Sequence, residues 1–559
     1  MRTDKGCWFI GGCLWTISCV QVFAAPLVVS PADQDVIERR QRSLLEQAQQ
    51  QRETMQNGIS LSPEPLPTAS LPGEACQKVK TIVFQGVEHL SWSVQEKLIT
   101  PLQGRCLTMA DINRLVRDTT NAYLQRGYVT SQAWLQEQDI STGELLINVS
   151  EGRVESITLE GESPLAVSMA FPHMIDGVLN LRDIEQGMEQ LNRLPSQQVS
   201  IDIQPGTHSG YSKVVLIPTA RRSPVSVSVG ADNSGQKSTG THQVNVGVTL
   251  DNPLRIADQW SFTATRNSNV NASYRNRSVS GSASIPYGYW LVSYQYAWND
   301  FFQYIPFNTD AYRYQGNNQT QRLAASRTLF RDGARKFAVD MGITHRRTEN
   351  QLAGERLAVS SPTLSSVSIG GNYSSVLGQG YLTANPLFVQ GVSWLGATPD
   401  SSLHADLPRG EFRKFTISAS YFYPLTSSLY YLTSLYGQTT PDNLYPSERI
   451  SVGGQYSVRG FKEQFLTSNR GAYWRNELNW QWMTLPGLGD LSLISALDSG
   501  WVQGHREEID GGNVTGTTLG ASLNGRWFNQ SIIVGKPLLH PDSLQPDRWV
   551  AYWQATITL

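Results

Sequence analysis

Two charged residues of opposite sign stand out from this 559-residue chain by their surroundings. Arg459 lies in Val458-Arg459-Gly460-Phe461, a turn-like stretch between strand-like segments and preceded by Gly453-Gly454. Further on, Leu497-Asp498-Ser499-Gly500 ends a strand. In that strand Leu491, Leu493 and Leu497 share one face by period two, which sends Asp498 to the other. If the leucines meet lipid, Asp498 faces an interior where a charge needs a partner. Arg459, on a loop able to fold inward, could supply it, because a guanidinium holds a carboxylate through two hydrogen bonds. The alternative is a solvent-exposed arginine in an external turn.

Reaction chemistry is harder to find. The 8 histidines are scattered, with no HExxH and no close cluster to hold zinc. Gly378-Gln379-Gly380 is not followed by a helix and completes no phosphate-binding loop, and no serine sits in a GxSxG elbow. Neither enzyme activity nor a metal or cofactor is expected.

The export reading starts at the N-terminus. Arg2 and Lys5 precede a mostly apolar run from Cys7 to Phe23, and Val22-Phe23-Ala24 offers a small-residue cleavage site. The run falls short of the roughly 20 residues that span a bilayer, so residues 1–24 read as a cleaved signal peptide. Its removal would leave Cys76 and Cys106. An even pair in an exported chain favours a disulfide over two buried thiols. Closing a loop of about 30 residues would stabilise a small domain by roughly 3–4 kcal/mol. A formal charge of −2 argues against nucleic acid as partner. Charged residues make up only 16% of the chain and aromatics 10%, which suits a barrel whose outer face meets lipid. No later apolar run is long enough for a helical span, so the expected destination is the outer membrane of a Gram-negative cell.

Several elements must position these residues. Residues 25–57 hold a polar helix, with Ser30 as N-cap, Pro31 in the first turn, and Asp35/Arg39 and Glu38/Arg42 spaced to pair. Its apolar points (Val36, Ile37, Leu44, Leu45, Ala48) are too few for a core. Two readings stand: a solvated helix or tail, and a helix lodged in a polar cavity such as a barrel lumen. Residues 58–75, with Pro63, Pro65, Pro67 and Pro72, form an extended linker. Residues 76–152 and 153–221 repeat one another. Val79, Ile82, Phe84 and Gly86 recur as Val154, Ile157, Leu159 and Gly161, and Leu107, Asp111 and Ile112 as Leu179, Asp183 and Ile184. Two β-α-α-β-β units follow. In the first, Thr108 and Asp111 make a capping box and Gly127 stops the helix. From 222 to 559 the pattern is strands of period two, such as Phe415/Ile417/Ala419/Tyr421/Tyr423 and Trp549/Ala551/Trp553/Ala555/Ile557/Leu559. A membrane β-barrel of about 16 antiparallel strands fits this length.

Val458–Phe461 resembles the VRGF/Y motif of the Omp85 superfamily, at the tip of a long sixth loop folded into the barrel. Leu497–Gly500 resembles its partner motif on an interior strand. In that family the loop arginine pairs with the strand acid, which the resemblance carries to Arg459 and Asp498. The repeats resemble POTRA domains. The whole order of parts is similar to the two-partner secretion transporters of large haemolysins and filamentous adhesins. Cys76 and Cys106, with Asp111-Ile112-Asn113 and Arg126-Gly127-Tyr128-Val129, look most like the haemolysin type. The chain departs from barrel habit by ending in Leu559 rather than an aromatic. The resemblance implies an outer-membrane transporter, a monomer set in lipid, that secretes a large exoprotein bearing an N-terminal secretion domain and that can also activate it. A haemolysin, adhesin or contact-dependent toxin would be the cargo. An outer-membrane barrel assembly insertase shares the motif but would not need a plug helix on a linker. A passive porin would not need the repeats.

Overall fold

The computed structural model describes residues 29–56, 76–160, 163–269, 273–307, 309–400, 407–504 and 511–559. The expected signal peptide and proline linker lie outside the described residues.

Each repeat folds around one small sheet. In the first, Thr81–Gln85 pairs in parallel with Glu144–Ser150, which pairs antiparallel with Gln132–Trp134. Helices α2 (Trp92–Ile99) and α3 (Met109–Leu124) cover it, taking their numbers after the N-terminal helix α1 (Pro31–Gln56). The capping box forms: Thr108 Oγ1 accepts from Asp111 N at 3.2 Å, and Asp111 Oδ2 accepts from Thr108 N at 3.0 Å. The buried face of α3 (Ile112, Leu115, Thr119, Ala122, Tyr123) follows the helical period and packs on Leu145 and Ile147. A separate ribbon pairs Cys76–Lys78 with Cys106–Thr108, and the disulfide Cys76–Cys106 joins its strands.

The second repeat has the same order. Arg153–Leu159 pairs in parallel with Tyr211–Arg221, which pairs antiparallel with Gln197–Pro205. Helices α4 (Pro164–Ala170) and α5 (Leu181–Asn192) pack on it around Val154, Leu179, Ile184, Leu191 and Val214. The units are stapled where Leu181 N donates to Gly127 O at 2.8 Å and Asn180 Nδ2 to Arg126 O at 3.2 Å.

Sixteen antiparallel strands, from Val225–Asp232 to Val550–Thr558, close into a barrel. Alternation decides what faces each way. Leu497 is 52% exposed on the outer wall, and its neighbour Asp498 is 0% exposed inside. Phe262, Tyr294, Ile369, Phe415, Trp480, Leu519 and Ile532 likewise stand exposed on the outside. Closure is completed by two backbone bonds between Val227 and Leu559, of 2.8 and 3.0 Å.

The second repeat is fastened to turns at one barrel end. Gln190 Nε2 donates to Gly288 O at 3.0 Å, and Arg193 donates to Ser284 Oγ and Ala257 O, each at 2.6 Å. Arg331 reaches Glu189 at 2.6 Å and Glu185 at 3.3 Å, Lys336 also pairs with Glu189, and Tyr289 donates to Asp183. Burial alone would raise the Glu189 carboxyl, but Lys336 and Arg331 outweigh it and hold the group below the usual carboxylate range.

Helix α1 lies inside the barrel, which decides between the two readings of this segment. Ser30 Oγ caps it by accepting from Asp33 N at 3.1 Å. Its polar side chains meet lumen amides: Asn299 Nδ2 donates to Asp35 Oδ2 at 2.9 Å, and Gln47 and Gln51 donate to Asn372 and Asn385 at 2.7 and 2.9 Å. Neither of the two expected intrahelical ion pairs is made. Glu38 accepts instead from Gln34 Nε2 at 2.9 Å, and Arg42 turns forward to Glu46 at 2.9 Å. Arg39 Nε donates to the Asp35 carbonyl, at 3.1 Å, because the Asp35 carboxylate is drawn to the wall.

Candidate functional site

Between Leu429–Thr439 and Gly471–Leu485 the chain leaves the wall and folds into the lumen. A short ribbon, Ile450–Val452 paired with Leu466–Ser468, carries it down. Its tip is the motif singled out in the sequence. Val458 and Phe461 are buried with Ile450, Val452, Leu466, Tyr473, Val502 and Val514, so apolar packing seats the tip against the wall. Tyr552, on the last strand, donates to Phe461 O at 2.6 Å.

The seat exists because glycine lines it. Gly460 has φ +104°, and a Cβ there would stand 2.7 Å from Lys536 O. On the facing wall a Cβ at Gly535 would lie 2.9 Å from Gly460 Cα, and one at Gly516 would collide with Arg459 O. Backbone thus meets backbone with no side chain between.

Packing brings Arg459 and Asp498 together. Arg459 Nε donates to Asp498 Oδ2 at 2.6 Å and Nη2 to Oδ1 at 2.8 Å, a two-pronged pair, while Arg459 N adds a 3.1 Å bond to Oδ2. Asn476 N donates to Oδ1 at 3.2 Å. The third guanidinium nitrogen, Nη1, meets Glu477 Oε1 at 2.9 Å, and Arg475 meets the same oxygen at 2.9 Å. Two arginines therefore face two acids, and every charge is answered inside a buried site. Removing one partner of such a pair costs about 3–5 kcal/mol, because the other is left buried and alone.

Glu477 was missed in the sequence, although its signal is there. Arg475, Glu477 and Asn479 share one parity in their strand while Trp474, Leu478 and Trp480 share the other, so the charges belong to the lumen side.

Among the described residues, one cluster of metal-ligand types lies on the first repeat: Glu88, His89 and Glu151. Its carboxylate is occupied by protein donors. Glu151 Oε1 accepts from Glu88 N and His89 N at 2.8 Å each and from Tyr123 OH at 2.7 Å. Partial burial alone would raise Glu151, but these bonds hold it below its ordinary value.

Comparison with known proteins bears on the fold and the family. Residues 210–523 match the family model described as haemolysin secretion/activation protein ShlB/FhaC/HecB. Residues 78–152 match a ShlB-type POTRA domain and 153–205 a POTRA domain. The chain is 42% identical over 537 residues to the outer membrane transporter CdiB of Dickeya dadantii, covering 96% of each. It is 30% identical over 491 residues to the hemolysin transporter protein ShlB of Serratia marcescens, covering 87% of this chain and 86% of that one. Among solved structures, CdiB from Escherichia coli superposes with a TM-score of 0.92 at 39% identity, over 95% of this chain and 99% of that one. The repeats are POTRA domains on the periplasmic side of an outer-membrane barrel. The chain belongs to the haemolysin secretion/activation family ShlB/FhaC/HecB, the outer-membrane transporters of two-partner secretion.

Proposed function

We propose that this transporter, acting as a monomer in outer-membrane lipid, exports one large exoprotein of the haemolysin, adhesin or contact-dependent toxin class, and that Arg459 with Asp498 holds its inner loop in the working position. The cargo's N-terminal secretion domain docks on the POTRA units, where an extended segment adds to an exposed sheet edge such as Thr81–Gln85. Helix α1 withdraws and the unfolded cargo crosses the lumen. No cofactor and no enzymatic step take part. Direction comes from folding outside, where burying the cargo's apolar surface makes return unfavourable.

The observation that carries this reading is the doubly hydrogen-bonded, fully buried Arg459–Asp498 pair at the tip of a loop inside a helix-plugged lumen. Its test is secretion of the exoprotein encoded beside the transporter, with wild type and Arg459→Ala. Cargo in the medium with wild type, and trapped in the periplasm with an inserted variant, is the expected result. Equal export by Arg459→Ala would overturn the motif's role. An inserted wild type that exports nothing, and whose depletion lowers other outer-membrane barrels, would make the chain an assembly insertase.

A further inference from the structure

Plug helix and folded-in loop meet at one carboxylate that the motif does not include. Glu448, in the short turn Pro446–Glu448 on the descending limb of the loop, is 8% exposed and stands among three cations. Lys414 Nζ reaches its Oε2 at 2.5 Å, Arg40 Nη2 lies 3.5 Å from the same oxygen, and Arg346 pairs with Oε1. Lys414 and Arg346 come from wall strands, whereas Arg40 comes from α1. The helix grips the same limb twice more: Arg40 Nη2 donates to Ser447 O at 2.9 Å and Gln41 Nε2 to Ser451 O at 2.7 Å. Leu44 packs on the apolar cluster that seats Val458 and Phe461.

The charges are unequal in a telling way. With α1 gone, Glu448 keeps Arg346 and Lys414, so no buried carboxylate is orphaned. With the Glu448 charge gone, three cations face one another, and among the described residues neither Arg346 nor Lys414 has another acid within ion-pair distance. The relief open to them is to expel the cation that can move, which is the one on the helix.

We propose that Glu448 is a positioning residue of the transporter, the latch that holds the plug helix on the inward-folded loop and lets it go without leaving a buried charge uncompensated. This rests on the reading that α1 leaves the lumen during export. Its test needs no cargo: the open fraction of the purified full-length protein in planar lipid bilayers, with barrel integrity checked by heat-modifiable gel mobility. Glu448→Gln should raise the open fraction about tenfold, the scale of one charge-assisted hydrogen bond. Arg40→Met should do the same, the double variant should add nothing, and Glu448→Asp should restore the closed state. A role in barrel stability alone would not make the two substitutions non-additive. An unchanged open fraction in Glu448→Gln, or additive effects, would overturn the latch. If Glu448→Gln does not insert, Arg40→Met alone decides, and resting conductance there overturns it. Secretion is scored separately: a wild type that exports nothing counts against the export reading and leaves the bilayer result intact.

Discussion

Arg459 uses all three guanidinium nitrogens, two on Asp498 and one on Glu477, in one plane set by packing of its neighbours Val458 and Phe461. Lysine keeps the charge but offers a point donor on a flexible stem, so it cannot satisfy both oxygens of Asp498 and the Glu477 carboxylate together. Arg459→Lys should therefore export cargo nearly as poorly as Arg459→Ala, by about tenfold or more below wild type, since one charged hydrogen bond alone is worth a factor of that size. Exoprotein in the medium, normalised to inserted transporter, measures it, and wild-type export by the lysine variant would show that charge alone suffices. How far this site was legible varies residue by residue. Period two sent Asp498 inward because a strand has only two faces, and the same rule applied to Glu477 would have found the second acid. Glu448 was beyond such reasoning, because a loop residue has no period, and its three cations converge from two strands and a helix remote in sequence.

Helix α1 shows why an element can be legible while its place is not. Its start was readable from Ser30 and Pro31, but a polar helix has the same composition in water as in a polar lumen, and only the partners distinguish them. Among its intrahelical pairs, tertiary partners rearranged what local spacing suggested, since Asp35 serves Asn299 rather than Arg39. The first POTRA unit was more fully written in its chain: the capping box, the apolar stripe of α3 and the cysteine pair all lie within one local segment. Its disulfide spans a sequence separation of 30 and ties in a two-stranded ribbon that pairs with no other strand among the described residues. Replacing Cys76 and Cys106 by serine should lower the local stability of this unit by about 3–4 kcal/mol in the chain-entropy account. Native-state hydrogen exchange of the full-length protein checks this. Protection of residues 106–124 should fall while barrel protection stays, and unchanged protection there would mean that the helix core alone holds the unit.

At the scale of the whole molecule, the barrel class and the repeated units were legible because both are periodic, one over two residues and the other over an entire unit. Their junction was not. It is built from Arg331 and Lys336, at the ends of two paired wall strands, and from Glu185 and Glu189 on α5, which no period connects. This network should fix the second POTRA unit against the barrel. Arg331→Ala should broaden the distance distribution between spin labels on α5 and on the barrel wall, and an unchanged distribution would assign the rigidity to Arg193 and Gln190 instead.

The resident helix also works as a caliper. At 26 residues it is roughly 39 Å long and, with side chains, about 10–12 Å across. Its N-terminal turn lies beside Asn299 in the upper wall, while Gln51 and Arg52 lie near the POTRA end, so it runs the depth of the bore. Vacated, that space admits a single helix, or two extended strands side by side at about 4.8 Å spacing, and nothing as wide as a folded domain. A passenger using it must reach the outer rim still unfolded. Cysteine cross-links that close a compact fold in the oxidising space below would jam it, so the exported sequence should be poor in cysteine pairs along the length that threads through.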